Sequence, residues 1–199
     1  MTGLPRFYPI FDSADWVARA LAAGARMIQL RIKDRPQDAL RTEIARARDM
    51  ARDAGAILVV NDHWRLAIEL DCDWLHLGQE DLDAADLDAV RGAGLRLGLS
   101  THDEAELDRA LALRPDYVAL GPVYPTILKK MPWAPQGLAR LTDWKGRVGD
   151  VPLVAIGGMT VERAPAAFAA GADIVSAVTD ITLHPDPDAR LRRWVEVCR

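Results

Sequence analysis

Ile57-Leu58-Val59-Val60-Asn61-Asp62 is a continuous apolar run that stops abruptly on a carboxamide and a carboxylate. A strand buried on both faces reads this way, and polar groups just past its C-terminal end lie where parallel α/β folds place their active sites. Four more runs end alike: on Gln29-Leu30-Arg31-Ile32-Lys33, on His76-Leu77-Gly78-Gln79-Glu80-Asp81, on Gly98-Leu99-Ser100, and on Gly121 through Lys129. Working outward, eight short apolar or β-branched runs recur, at Phe7–Phe11, Met27–Ile32, Ile57–Asn61, Trp74–Gly78, Leu95–Leu99, Tyr117–Gly121, Leu153–Gly157 and Ile174–Val178. Eight is the number that closes a (β/α)8 TIM barrel.

Helical patterns separate the runs. Pro36 to Asp53 carries Leu40, Ile44 and Ala47 on one face and stops at Gly55. Asp103 to Leu113 follows Thr101-x-x-Glu104, read as a capping box. The last helix is predicted from Pro187, capped by Asp186, to about Cys198, with Leu191, Trp194 and Val195 on its stripe. Another is predicted to start at Thr160. Trp16, Trp64, Trp144 and Trp194 fall at helical packing positions, whereas Trp133 lies in the long connection Tyr124–Gln136, which reads as a binding loop. The competing architecture, an open doubly wound sheet, would show G-x-G-x-x-G after its first strand, and that turn is missing here.

Composition narrows the function classes. A chain of 199 residues, half apolar and 27% charged, can bury one large core, so a single domain over 1–199 is expected. A net charge of -4 with scattered arginines gives no footprint for nucleic acid. No leader pattern and no apolar run near the roughly 18 residues of a membrane span is present, which predicts a cytoplasmic protein without membrane partners. Cys72 and Cys198 lack paired metal spacing and read as structural thiols. A homo-oligomer is compatible with all of this.

The polar ends form a chemical set. Asp62 and Asp81 follow different strands and would give Mg2+ the one or two carboxylates it takes beside phosphate and water. Arg31, Lys33 and Lys129 supply positive charge for a diphosphate, and Gln29, Asn61, Gln79, Ser100 and Thr126 supply neutral contacts. Gly157-Gly158 before a helix would offer backbone N–H groups to a second phosphate. Each residue has a plainer reading: an Asp after a strand commonly caps a helix, Arg31 and Asp62 could pair as an ion bridge, and His76 between Leu75 and Leu77 reads as a satisfied barrel histidine. His102, beside a helix start, fits either role.

These residues fall within segments that resemble the thiamine phosphate synthase family along nearly the whole chain. The matching segments are QLRIKD (Gln29–Asp34), VND (Val60–Asp62), HLGQED (His76–Asp81), LGLSTH (Leu97–His102), YVALGPVYPT (Tyr117–Thr126) with Lys129, VAIGG (Val154–Gly158) and VSAV (Val175–Val178). The resemblance implies a TIM barrel that joins an aminopyrimidine methyl diphosphate to a thiazole phosphate, releasing pyrophosphate with Mg2+. It further implies that Gln29 contacts the pyrimidine, that Arg31, Lys33, Asn61, Ser100 and Lys129 hold the diphosphate, and that Asp62 and Asp81 hold the metal. Thr126, Gly157, Gly158, Val175 and Ser176 would hold the thiazole phosphate. Where the family shows Thr-x-Thr-Lys, this chain has Thr126-Ile127-Leu128-Lys129, and Asp180 would bring negative charge near the second phosphate unless it faces elsewhere. A related thiazole tautomerase has a histidine after the glycine that ends its sixth strand, but here Pro122 follows Gly121. A binding protein without turnover is the non-enzymatic alternative.

Overall fold

The computed structural model describes residues 3–126 and 134–199. Its elements run β1 (Ile10–Phe11), α1 (Ala14–Ala23), β2 (Met27–Leu30), α2 (Gln37–Asp53), β3 (Ile57–Asn61), α3 (Trp64–Glu69), β4 (Trp74–Leu77), α4 (Gln79–Ala84), α5 (Leu87–Gly92) and β5 (Arg96–Thr101). They continue as α6 (Glu104–Ala112), β6 (Tyr117–Leu120), α7 (Gly137–Val148), β7 (Leu153–Ala155), α8 (Ala164–Ala169), β8 (Ile174–Val175), α9 (Thr179–Thr182) and α10 (Pro187–Val197).

The eight strands are parallel and lie in sequence order. The sheet curls until its two ends meet at a bridge between Phe7 and Val175. Across that seam Tyr8 N–H donates to Val175 C=O at 2.9 Å, Val175 N–H to Arg6 C=O at 2.9 Å, and Ile10 N–H to Ala177 C=O at 3.2 Å. The expected TIM barrel is therefore the fold, with each strand core beginning and ending within a few residues of its apolar run.

Two cores follow from the strand period. Side chains facing outward pack under the helices, and include the fully buried Trp144 and Trp194. Inside the barrel sit Tyr8, Met27, Val59, Trp74, Tyr117, Ala119, Val154 and Ile174. Gly98 is required there: a Cβ on it would fall 1.9 Å from the Tyr117 ring, so only glycine leaves room for that ring to cross the interior.

Two local expectations are corrected. The cap of α6 is Asp103, which accepts from Glu106 N–H at 2.9 Å, while Glu106 accepts from His102 N–H at 2.7 Å. Thr101 is instead taken up by the core, donating to Ala119 C=O and accepting from the Trp144 indole. The helix predicted from Thr160 begins at Ala164, because Pro165 has no N–H to continue a ladder from the turn at 160–163. The α10 prediction holds, with Asp186 accepting from Ala189 N–H at 3.0 Å.

Candidate active site

A cavity of ≈ 330 Å3 opens at the C-terminal end of the barrel. Gln29 enters it from β2 with Arg31 and Lys33 just beyond, Asn61 from the end of β3 with Asp62 next, Asp81 from the first turn of α4, Ser100 from β5, and Gly157 from the turn after β7. Thus eight of the predicted site residues share one chamber. Thr126, Gly158, Val175 and Ser176 do not line it. Lys129 and Leu128, like Lys130 and Trp133, lie outside the described residues.

The carboxylates face one another at the mouth. Asp62 has its pKa raised, first by burial and then by the charge and hydrogen bonding of Asp81, against the opposing pull of Lys33 and Arg31. The ion pair to Asp62 is made by Lys33, at 3.6 Å, and not by Arg31 as in the plainer reading of that pair. Two close carboxylates with a cation at their edge form a hard-oxygen donor set, and the repulsion recorded in the raised Asp62 value is what a divalent ion would relieve. Asp62 sits at φ +64, a left-handed conformation in which His63 N–H reaches back to Asn61 C=O at 2.8 Å. A non-glycine residue held there marks a backbone shaped for its side chain's position. Beside it, the buried Asn61 Nδ2 has no partner among the described residues and can donate to a ligand.

His76 is buried and fully engaged, its Nδ1 2.9 Å from Tyr117 Oη and its Nε2 2.8 Å from Ser100 Oγ. Burial first, and Arg31 second, push its pKa down to about 4, so it is neutral near pH 7. The plain reading of this histidine as satisfied is correct. Gln79 also lines the cavity, where its Nε2 donates one hydrogen to Ser100 C=O at 2.6 Å and its Oε1 accepts from Arg109 at 3.4 Å, tying α4 to β5 and leaving the second Nε2 hydrogen. His102 and Glu106 also line the cavity and pair at 2.8 Å. The helical position of Glu106, four residues past His102, was the available sequence signal for this pair.

The second predicted phosphate region is differently built. Gly157 and Gly158 take φ +93 and +61, and a Cβ on Gly158 would meet Pro125 C=O at 2.3 Å, so the two glycines admit the 122–125 segment against their backbone. Tyr124 N–H donates to Gly157 C=O at 3.0 Å, and Arg163, stacked over the Tyr124 ring, donates to Gly158 C=O. The backbone of Val175 is taken up by the seam and Ser176 N–H by Ala155 C=O, which leaves the buried Ser176 Oγ, without a partner among the described residues, as that pair's donor. The charge of Asp180 is taken up within the protein: Arg190 holds both its oxygens at 2.8 and 2.9 Å and the Trp194 indole donates at 2.8 Å.

Comparison with known proteins agrees with this geometry. A family described as thiamine monophosphate synthase matches residues 7–181. A thiamine-phosphate synthase of Rhizobium etli is 62% identical over 192 residues, covering 96% of this chain and 94% of the relative. One from Cronobacter sakazakii is 52% identical over 190 residues, covering 96% and 90%. Among solved structures, a thiamine phosphate pyrophosphorylase from Pyrococcus furiosus superposes with a TM-score of 0.86 at 26% identity, covering 97% of this chain and 95% of that one.

Proposed function

The chain belongs to the thiamine monophosphate synthase family and is a transferase of that activity, and from this we propose how its own residues divide the work. The observation that carries the reading is the convergence of Gln29, Arg31, Lys33, Asn61, Asp62, Asp81 and Ser100 in one chamber at the C-terminal ends of β2 to β5. The aminopyrimidine ring lies against Gln29, and its diphosphate lies among Arg31, Lys33, Asn61 and Ser100. Lys129 joins these from the long loop as read from the sequence.

Asp62 and Asp81 fit Mg2+, which when bound would neutralise charge building on the departing pyrophosphate. Arg31 and Lys33 supply fixed positive charge to the same oxygens, and Asn61 Nδ2 and the Ser100 hydroxyl supply directed donors. Cleavage of the C–O bond sends its electron pair to pyrophosphate and leaves a pyrimidine methylene cation. The thiazole ring nitrogen then forms the new C–N bond. Burial of the chamber floor by Tyr8, His76 and Ala119 keeps water from the cation. No side chain needs to act as a covalent nucleophile. Thr126, the Gly157-Gly158 turn and Ser176 Oγ are proposed for the thiazole phosphate, with Val175 contributing barrel closure instead of a contact. With no helix among the described residues able to cross a membrane, small water-soluble substrates in the cytoplasm suit the reading.

Incubating the purified protein with both substrates and Mg2+ and weighing the product tests the proposal. Thiamine phosphate and stoichiometric pyrophosphate are expected. Turnover that persists in Asp62→Ala and Asp81→Ala at limiting Mg2+ would remove these two residues from the metal role.

A further inference from the structure

Gln29 and Ser100, assigned above to opposite ends of the same substrate, are joined beneath the chamber by an unbroken line of hydrogen bonds. Gln29 Nε2 donates to Tyr8 Oη at 2.7 Å, Tyr8 Oη lies 2.7 Å from Tyr117 Oη, Tyr117 Oη lies 2.9 Å from His76 Nδ1, and His76 Nε2 lies 2.8 Å from Ser100 Oγ. Gln29, Tyr8, Tyr117 and His76 are all buried. The void left by Gly98 is what lets the Tyr117 ring cross the barrel and reach both neighbours.

Each hydroxyl has one hydrogen, and when Tyr8 and Tyr117 both donate along the line it runs in one of two directions. When Gln29 donates, Tyr8 gives its hydrogen to Tyr117, Tyr117 gives its own to His76 Nδ1, and His76 Nε2–H points at Ser100 Oγ. The Ser100 hydrogen is then turned toward the chamber, and Gln29 presents Oε1 there. In the reverse direction Ser100 donates to His76 Nε2, and Gln29 must accept through Oε1 and turn its NH2 outward. An anion at Ser100 requires a donor, and so selects the first direction.

We propose that this line is a polarity relay: Tyr8, Tyr117 and His76 are positioning residues that make Ser100 a donor to the diphosphate and Gln29 an acceptor for the exocyclic amino group of the ring. Occupation of the anion subsite thereby sets which hydrogen-bonding edge the ring subsite reads. The relay rests on the reading of Ser100 and Gln29 given above.

Titration of inorganic pyrophosphate with Mg2+ into wild type, Tyr117→Phe, Ser100→Ala and the double variant tests it. Phenylalanine keeps the ring in the Gly98 void and loses only the hydroxyl. Tyr117→Phe should weaken pyrophosphate about tenfold in the wild-type background and not further in Ser100→Ala, since its effect passes through that hydroxyl. The 15N spectrum of the His76 ring, identified by its loss in His76→Gln, should show the Nε2–H tautomer in the pyrophosphate complex. Tyr8→Phe cuts the line at the other end. It should raise the KM for the pyrimidine diphosphate by about fivefold while pyrophosphate binding stays within about twofold, and it serves if Tyr117→Phe does not fold. Equal losses from Tyr117→Phe in both backgrounds, an Nδ1–H tautomer in the complex, or an unchanged KM in Tyr8→Phe would overturn the relay. A Ser100→Ala protein that binds pyrophosphate normally would overturn the site assignment itself, and the relay with it.

Discussion

At the scale of single residues, the mouth of this barrel sets function against stability. Asp62 is half-buried, conformationally constrained and repelled by Asp81, and its folded pKa lies above the ordinary carboxylate value. A carboxyl so raised favours the folded state below its unfolded pKa, and that contribution is lost as pH climbs through the folded value. Asp62→Asn should therefore raise the metal-free melting temperature near pH 7, by ~3 °C for about 1 kcal/mol in a chain of this size, while abolishing turnover. Differential scanning calorimetry with and without Mg2+ checks this, and a lower melting point for the variant would contradict it. His76 acts in the opposite sense. Its folded pKa is depressed to about 4, so the unfolded chain takes up the proton first, and stability falls as pH drops from the ordinary histidine range toward that value. The loss amounts to at most roughly 3 kcal/mol. Urea unfolding of His76→Gln should show a flatter pH profile over that range than wild type.

At the scale of elements, glycine and capping positions decide what fits. Gly98→Ala places a methyl group inside the Tyr117 ring and should cost about 3 kcal/mol or more, since overpacking a barrel interior leaves no rotamer to escape into. Tyr117→Leu in the same chain removes the clashing ring atoms and should return much of that stability without returning activity. Denaturant midpoints of the two single variants and the double variant measure it. The strands were legible because a doubly buried strand must be apolar throughout, as at Ile57–Asn61 and Tyr117–Leu120. Their polar ends were legible for the same reason, since a change of environment forces a change of residue. What was not legible depended on partners far away in sequence. Thr101 looked like a cap until Ala119 and Trp144 claimed its hydroxyl, and nothing in the sequence around Gln79 showed that Ser100 and Arg109 would hold its amide in place. Asp180 likewise looked like an intruding charge, and only the fold brings Arg190 and Trp194 onto it. Tyr8 and Tyr117 gave no signal as site residues, being indistinguishable from core aromatics until their hydroxyls meet across the interior.

For the whole molecule, closure is a matter of one narrow seam. Phe7 bridges Val175 through its backbone and stacks on Trp194 of α10 with ring centroids 5.2 Å apart, so one residue ties the closed seam to the helix that covers it. Phe7→Ala should cost about 3–5 kcal/mol, read as a lower urea midpoint. Because the Ser176 hydroxyl sits beside this seam, the variant should also lose thiazole phosphate affinity before it loses pyrophosphate affinity, which paired titrations would resolve.

That seam also fixes an order of events during synthesis. The segment around Phe7 leaves the ribosome well before its partners at Val175 and Ala177 are made. Until they arrive, one side of the earliest strand carries unpaired backbone groups that can template a wrong pairing with a neighbouring nascent chain. A chain stalled near residue 173 would expose that side and the waiting edge of β7 together. It would be a substrate for holdase chaperones, whereas a few residues more would let the barrel close upon itself.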